Sequence, residues 1–189
     1  MKPLTPATPR AIIMVGIPGA GKTTFAERFS KTFQAPFVNQ SAIEHSLELS
    51  SDISAKVASM MLDEIIKTNR TFIYEGPTAT KGARTAVIQR IISAGYQPLI
   101  IWVQTESVEA KRRATKKQPH GSGLSSDEFT SAIKRFTAPS VQEKALVISG
   151  KHTYASQLKI VLKRLSSESR VTSEPDEPRI RSSRNIILR

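Results

Sequence analysis

The chain contains no cysteine among its 189 residues. This absence excludes a disulfide framework and any zinc site built on thiolates. A domain of this length buries about 70% of the surface that its unfolded chain exposes, so it needs no covalent staple. A reducing compartment is the ordinary setting of such proteins, and we expect this one to be cytoplasmic.

Long apolar runs are also lacking. No stretch approaches the ~20 residues that a membrane-spanning helix needs. Residues 1–10 hold two cations and three prolines but no apolar segment of the kind found in signal peptides. We therefore expect no association with membranes, and we interpret residues 1–10 as a flexible leader.

Acidic residues are scarce relative to basic ones. The chain has 28 Lys and Arg against 16 Asp and Glu, a formal net charge of +12. Such a balance favours an anionic partner, and a nucleoside triphosphate alone does not require so much positive charge. Nucleic acid is the second partner that the charge suggests, while good solubility is the plainer explanation.

Strand and helix patterns alternate along the chain. Short apolar or β-branched segments typical of buried strands are Ala11–Gly16, Pro36–Val38, Thr71–Glu75, Leu99–Val103 and Ala145–Ile148. Helical spacing occupies Lys22–Phe33, Ser41–Ser50, a helix begun by Asp52, Ala83–Ala94, Glu106–Lys117, a helix begun by a Ser125–Glu128 capping box, and Tyr154–Leu165. This alternation predicts an α/β fold with a parallel sheet covered by helices on both faces.

Several apolar residues are candidates for the core. Phe25, Phe29 and Phe33 share one face of the first predicted helix. Met60 and Met61 lie in the helix begun by Asp52, and we interpret this pair as core filling rather than as a binding groove.

The composition changes after Leu165. Residues 166–178 are rich in serine, acids and proline, without periodic apolar positions, and the last residues mix arginines with a short apolar cluster. We predict a domain over 11–165 and a disordered tail over 166–189.

One motif identifies a binding site directly. Residues 16–23 fit the pattern G-x-x-x-x-G-K-[ST] completely, between a predicted strand and a predicted helix. Glycines let successive backbone N–H groups converge on a phosphate, and the next helix directs its positive end at the same charge. The predicted nucleotide-binding residues are Gly16, Ile17, Pro18, Gly19, Ala20, Gly21, Lys22, Thr23 and Thr24.

The motif also assigns two roles. Lys22 is predicted to bridge the β- and γ-phosphates, and the hydroxyl of Thr23 to ligate Mg²⁺. The expected ligand is Mg²⁺ with ATP or GTP, and the sequence does not choose between the two nucleotides.

With this loop placed, the chain resembles the small P-loop kinases of the polynucleotide-kinase and zeta-toxin type. The matching pieces beyond the loop are Phe72–Gly76, the helix running to Tyr96, and the basic stretch Lys111–Lys117. The resemblance implies a three-layer fold with a five-stranded parallel sheet in the order 2-3-1-4-5 and a mobile basic lid. It also implies transfer of a phosphoryl group from ATP or GTP to a hydroxyl.

The resemblance points to three further site residues. Glu75 ends the third predicted strand, where such kinases place an acid that holds Mg²⁺ through water or orients the acceptor; a carboxylate facing solvent is the alternative. Arg113 and Lys117 match two lid cations that close over the phosphates. An ordinary solvated charged face is the alternative for the lid.

One position departs from the family pattern. Similar kinases carry an aspartate just after the second strand, and this chain has Ser41 there. A serine hydroxyl cannot act as a general base near neutral pH. Glu44 or His45, on the same helical face, could replace it, or both could simply face solvent.

Three functions therefore stay open. The first is phosphotransfer from ATP or GTP to a hydroxyl, with a nucleic-acid 5′ end favoured by the charge. The second is a nucleotide-binding switch or adaptor with weak or absent catalysis, which Ser41 favours. The third is a simple NTPase, in which water replaces the acceptor.

Overall fold

The computed structural model describes residues 8–116 and 123–171. Five strands are present there: β1 (Arg10–Val15), β2 (Phe37–Asn39), β3 (Phe72–Glu75), β4 (Gln97–Gln104) and β5 (Leu146–Ser149). The helices are α1 (Lys22–Phe33), α2 (Gln40–Ser46), α3 (Ser51–Ile66), α4 (Lys81–Ser93), α5 (Ser107–Ala114), α6 (Ser126–Arg135) and α7 (Tyr154–Val171), with a 3₁₀ turn at Val141–Glu143.

The strands form one parallel sheet in the order β2-β3-β1-β4-β5, which confirms the predicted topology. The strand β1 lies in the centre, with all six of its residues buried. It pairs with β3 on one side and with β4 on the other, where Arg10–Val15 run beside Gln97–Trp102. A strand covered on both faces carries a continuous apolar run, as this one does.

Alternate residues of β1 supply two cores, one on each face of the sheet. Ile12 and Met14 pack with α1 and α7, while Ala11, Ile13 and Val15 pack with α3 and α4. The predicted stripe of α1 is confirmed, because Phe25, Phe29 and Phe33 are all buried. The ring centroids of Phe25 and Phe29 lie 5.8 Å apart, and those of Phe29 and Phe33 lie 4.6 Å apart.

The interpretation of α3 is wrong in two respects. The helix begins after Ser50, so Asp52 lies in its first turn rather than at its N-cap. Its buried face is Ser54, Ala58 and Leu62, whereas Met60 and Met61 are 68% and 40% exposed. The small residues let α3 lie close to the sheet, and this turns the methionines outward.

The ends of the predicted domain can be compared with the structure in part. The strand β1 already includes Arg10, and α7 continues to Val171, beyond the predicted domain end at Leu165. Residues 1–7 and 172–189 lie outside the described residues. In the part of the chain that the structure describes, no helix combines the length and apolar character needed to cross a membrane.

Candidate phosphoryl-transfer site

The loop between β1 and α1 has the backbone shape that its glycines predict. The φ angles are +151° at Gly16, +74° at Gly19 and +103° at Gly21. Residues that carry a side chain rarely adopt such φ angles. A Cβ placed on Gly19 would lie 2.1 Å from the carbonyl oxygen of Ala110 in α5. The loop is therefore both tightly curled and pressed against the helix predicted to be the lid.

The N-terminus of α1 carries nothing that would compete with a bound anion. Its N-cap is Gly21, which has no side chain to cap the helix, and its first turn contains no acid. The first N–H groups of a helix lack partners within the helix. Together with the helix dipole, they favour a phosphate at this position.

Three predicted site residues meet beside the loop. The hydroxyl of Thr23 donates a hydrogen bond to Oε1 of Glu75 at 3.0 Å, and Nζ of Lys22 lies 3.8 Å from the same oxygen. The ammonium of Lys22 also donates to the carbonyl oxygen of Ile17, at 3.2 Å. The end of β3 thus brings a carboxylate to the lysine and the hydroxyl of the loop.

The carboxyl group of Glu75 is buried and only half satisfied. Its side chain is 8% exposed, and Oε2 has no hydrogen-bond partner. Burial raises the pKa of Glu75, while the charge of Lys22 and the hydrogen bond from Thr23 oppose that rise. A buried polar atom without a partner is costly, so a ligand or hydrated cation at Oε2 would relieve it.

These donors suit magnesium. Mg²⁺ takes one or two protein oxygens and completes its octahedron with water and phosphate oxygens. Thr23 and Glu75 supply such oxygens. No cluster of three or more His, Cys, Asp or Glu side chains arranged to hold a metal occurs in residues 8–116 or 123–171.

The loops that follow β4 and β5 close one flank of the phosphate loop. Thr105 donates to the carbonyl oxygen of Ala20 at 2.9 Å. Gly150 lies so close that an added Cβ would be 2.0 Å from the same oxygen and 2.2 Å from Oγ1 of Thr105. Both residues directly follow strands of the parallel sheet, and that position was the sequence signal by which they could have been found.

We expect Gly150→Ala to damage this flank. The methyl group would displace Ala20, and such overpacking typically costs about 1–3 kcal/mol of unfolding free energy. Affinity for Mg·ATP should fall as well, because Ala20 belongs to the phosphate loop. Gly82→Ala in α4 is the control, since nothing lies within 4 Å of its added Cβ. Thermal unfolding and nucleotide titration of both variants test this, and equal behaviour of the two would contradict it.

Arg113 reaches the same flank. Its Nε donates to Oε1 of Glu109 at 2.7 Å, and its terminal nitrogen donates to the carbonyl oxygen of Gly150 at 3.0 Å. The lid helix α5 ends at Ala114, earlier than predicted, and Lys117 lies outside the described residues. The structure therefore places one of the two predicted lid cations beside the loop.

The other flank holds the positions expected to serve the acceptor. Asn39 pairs in register with Glu75, and its side chain caps α2 by accepting from the N–H of Ala42. Ser41 is exposed in the first turn of α2. Glu44 accepts a hydrogen bond from Ser54 at 3.2 Å, so it anchors α2 to α3, and His45 is exposed.

A buried arginine supports the turn that follows Glu75. Arg84 in α4 is fully buried and binds both carboxylate oxygens of Glu143, at 2.6 and 3.1 Å. It also donates to the carbonyl oxygens of Thr78, Ala79 and Thr137. The sequence did not indicate this residue, because a cation in an amphipathic helix is normally assigned to the solvent face.

The sequence matches a known family over most of its length. Residues 12–139 match the AAA domain family, and this span includes the phosphate loop, Glu75 and Arg113. No curated protein matches the chain in sequence.

Solved structures with similar folds are P-loop kinases and a nucleotide-bound relative. A gluconokinase from Sinorhizobium meliloti 1021 aligns with a TM-score of 0.66 at 13% identity, over 88% of this chain and 98% of that one. Kti12 of Chaetomium thermophilum, solved with ADP-AlF3, gives 0.63 at 15% identity, over 82% and 97%. The APS kinase CysC of Mycobacterium tuberculosis, solved with AMPPNP and APS, gives 0.63 at 14%, over 85% and 99%. Identities this low establish the fold and leave the acceptor open.

Proposed function

Since the chain belongs to the AAA domain family, we propose that it transfers the γ-phosphoryl group of ATP or GTP to a hydroxyl acceptor. The observation that carries this proposal is the meeting of Lys22, Thr23 and the half-satisfied Glu75 carboxylate beside the phosphate loop. Phosphoryl transfer needs little covalent chemistry from a protein, because positioning and electrostatics do most of the work. This site offers both.

Each residue has a definable task in that reaction. The backbone N–H groups of residues 16–23, apart from Pro18, bind the phosphates, and Lys22 contacts the β- and γ-phosphate oxygens. Thr23 and Glu75 would hold Mg²⁺, which when bound neutralises charge on the transferring group. Arg113, with Lys117, adds positive charge when the lid closes. Thr24 is exposed in the first turn of α1, and a part for it in nucleotide binding stays a prediction.

A switch or adaptor without transferase activity is the second candidate, and one observation favours it. Ser41 stands where similar kinases have a general base, and Glu44 is engaged by Ser54 rather than free to replace it. The loss of a general base costs about 10²–10⁴-fold in rate, which slows a kinase without abolishing the reaction. Hydrolysis, with water as the acceptor, would show the same geometry.

Restoring the carboxylate separates these candidates. We expect Ser41→Asp to raise the rate of phosphoryl transfer about ten-fold or more, approaching the lower end of general-base effects. Nucleotide affinity should hardly change, and the first turn of α2 tolerates negative charge. Ser41→Asn, with the same shape but no carboxylate, is the control. The measurement is γ-phosphate transfer to a panel of hydroxyl compounds.

Two results would oppose the weakened-kinase interpretation. If Ser41→Asp lowers an already substantial rate, the native site has its own base, and Glu44→Gln or His45→Ala should then abolish turnover. If no variant phosphorylates any compound while Mg·ATP still binds, the switch becomes the better proposal.

A further inference from the structure

Among the described residues, backbone fills the flank of the phosphate loop beside β4 and β5, so we expect the acceptor on the flank beside β3 and β2. On the side of β4 and β5, Gly19 presses against Ala110 and Gly150 presses against Ala20, so backbone fills the space. On the side of β3 and β2, the loop faces Glu75, Asn39 and the start of α2. Ligands of such folds bind at the carboxyl ends of the strands, and here that region lies next to the transferable phosphate.

A buried oxygen without a partner on this flank indicates that a ligand binds here. Oε1 of Glu75 is engaged by Thr23, but Oε2 is buried and has no hydrogen-bond partner. The neighbouring strand end contributes Asn39, which is 8% exposed. A hydroxyl donor or a hydrated cation is what the free oxygen can bind.

Lys22 lies 3.8 Å from Glu75, but the stretch of chain that forms the rest of this flank carries no positive charge, although the whole chain has a net charge of +12. No lysine or arginine occurs between Lys31 and Lys56, the stretch that leads through β2 and α2 into α3. The same stretch contains three acids, Glu44, Glu48 and Asp52. The approach along β2 and α2 is therefore acidic.

The arginines of α4 do not offset these acids. Arg84 is fully buried, and its guanidinium donates hydrogen bonds to Glu143 and to three backbone carbonyl oxygens. Arg90 is bound to Ser59 and Asp63. Lys81, in the first turn of α4, is the exposed cation that follows the β3 strand end most closely in the chain. Four acids, Glu44, Glu48, Asp52 and Glu75, therefore outnumber the two cations Lys22 and Lys81.

We propose that the acceptor is a hydroxyl compound that is uncharged or cationic, such as a sugar, a polyol or an amino sugar, and not a phosphorylated or polyanionic one. This inference rests on the proposed phosphotransferase function and replaces the nucleic-acid 5′ end that net charge favours. Like charges placed together oppose binding, so acids around the approach exclude anionic acceptors.

The reaction is balanced without any further reactant. The acceptor oxygen forms a bond to the γ-phosphorus, and the bond from that phosphorus to the β-phosphate bridging oxygen breaks. The products are the phosphate monoester and ADP or GDP. The acceptor hydroxyl releases its proton to solvent.

The test compares acceptors that share one carbon skeleton and differ in charge. Glucose, glucosamine, gluconate and glucose 6-phosphate are each given to the full chain with Mg²⁺ and γ-labelled ATP, beside a 5′-hydroxyl oligonucleotide. We expect kcat/KM for the better of glucose and glucosamine to exceed that for every anionic compound by about ten-fold or more. Preference for gluconate, glucose 6-phosphate or the oligonucleotide would overturn the inference and leave the phosphotransferase function intact.

Charge reversal gives an independent measurement. Glu48→Lys should shift the preference between glucosamine and gluconate by about five-fold towards gluconate, because a reversed charge at roughly 10 Å acts in opposite directions on the two ligands and is partly screened by salt. Glu64→Lys, an exposed acid near the other end of α3, is the matched control and should leave the preference unchanged. Equal shifts from both variants would overturn the inference.

A binding measurement tests the inference without depending on turnover. Saturation-transfer NMR with Mg·AMPPNP present should detect glucose or glucosamine and not the anionic compounds. If nothing is phosphorylated and the neutral and cationic sugars still bind, the proposed function fails while the inference about this flank stands. If none of the compounds binds, the inference fails.

Discussion

Replacing Arg84 by methionine should lower the free energy of unfolding by about 3–5 kcal/mol, the usual cost of removing one partner from a buried ion pair. Methionine fills similar space but donates nothing. The substitution would leave the carboxylate of Glu143 without its cation, and the carbonyl oxygens of Thr78, Ala79 and Thr137 without this donor. Urea unfolding followed by circular dichroism measures the loss.

Arg90→Met in the same helix is the control. Its ion pair with Asp63 is exposed on both sides, at 35% and 51%, and exposed pairs contribute about 0–1 kcal/mol. A loss as small for Arg84→Met as for Arg90→Met would show that Arg84 does not hold these segments together.

Lowering the pH should reduce the difference in free energy of unfolding between Arg84→Met and the parent protein. Hydrogen bonds from Arg84 lower the pKa of Glu143 to about 2, from an ordinary value of 4.5. A lowered pKa stabilises the fold fully above the ordinary value, and this stabilisation disappears as the pH falls towards 2. The deficit of Arg84→Met should therefore be largest above pH 5 and should shrink between pH 4.5 and 2.

The second large effect concerns the phosphate loop. We expect Lys22→Ala to weaken binding of Mg·ATP by about 10- to 100-fold, the equivalent of one charge-assisted hydrogen bond or slightly more. The fold should persist, because Lys22 lies at the start of α1 and its hydrogen bond to Ile17 lies within the loop. Affinity for ADP should fall less, since Lys22 also contacts the γ-phosphate.

Lys31→Ala removes a cation from the last turn of the same helix and should leave both affinities unchanged. Calorimetric titration of the three proteins with Mg·ATP and Mg·ADP makes the comparison. The assignment of the phosphate loop would be wrong if Lys22→Ala bound Mg·ATP as tightly as the parent.

The phosphate loop and its helix were predictable because their signals are local. The motif at 16–23 fixes the residue types, and Phe25, Phe29 and Phe33 fix the buried face of α1. The strand order was available only through the resemblance to known kinases, since no pattern within a strand names its neighbours. The position of Glu75 beside the loop could be inferred because it ends a buried strand, and its role stays a prediction.

The parts that failed depend on tertiary partners. Met60 and Met61 are apolar at helical spacing, yet α3 packs through Ser54, Ala58 and Leu62 because small side chains permit a closer approach. Arg84 can be buried because Glu143 pairs with it. Glu143 lies far along the chain, so no local pattern connects the two residues. Net charge cannot choose the acceptor, because it says nothing about where on the surface the charges lie.

The central position of β1 has a consequence for synthesis on the ribosome. Its first neighbour, β3, begins at Phe72, and its second, β4, begins at Gln97. Until both have emerged, the apolar segment Arg10–Val15 has unpaired backbone edges and exposed side chains, which favour aggregation. At about 5–20 residues per second, that interval lasts several seconds. Newly made chains should therefore depend on chaperones during this interval, and shortening it by circular permutation should raise the soluble yield.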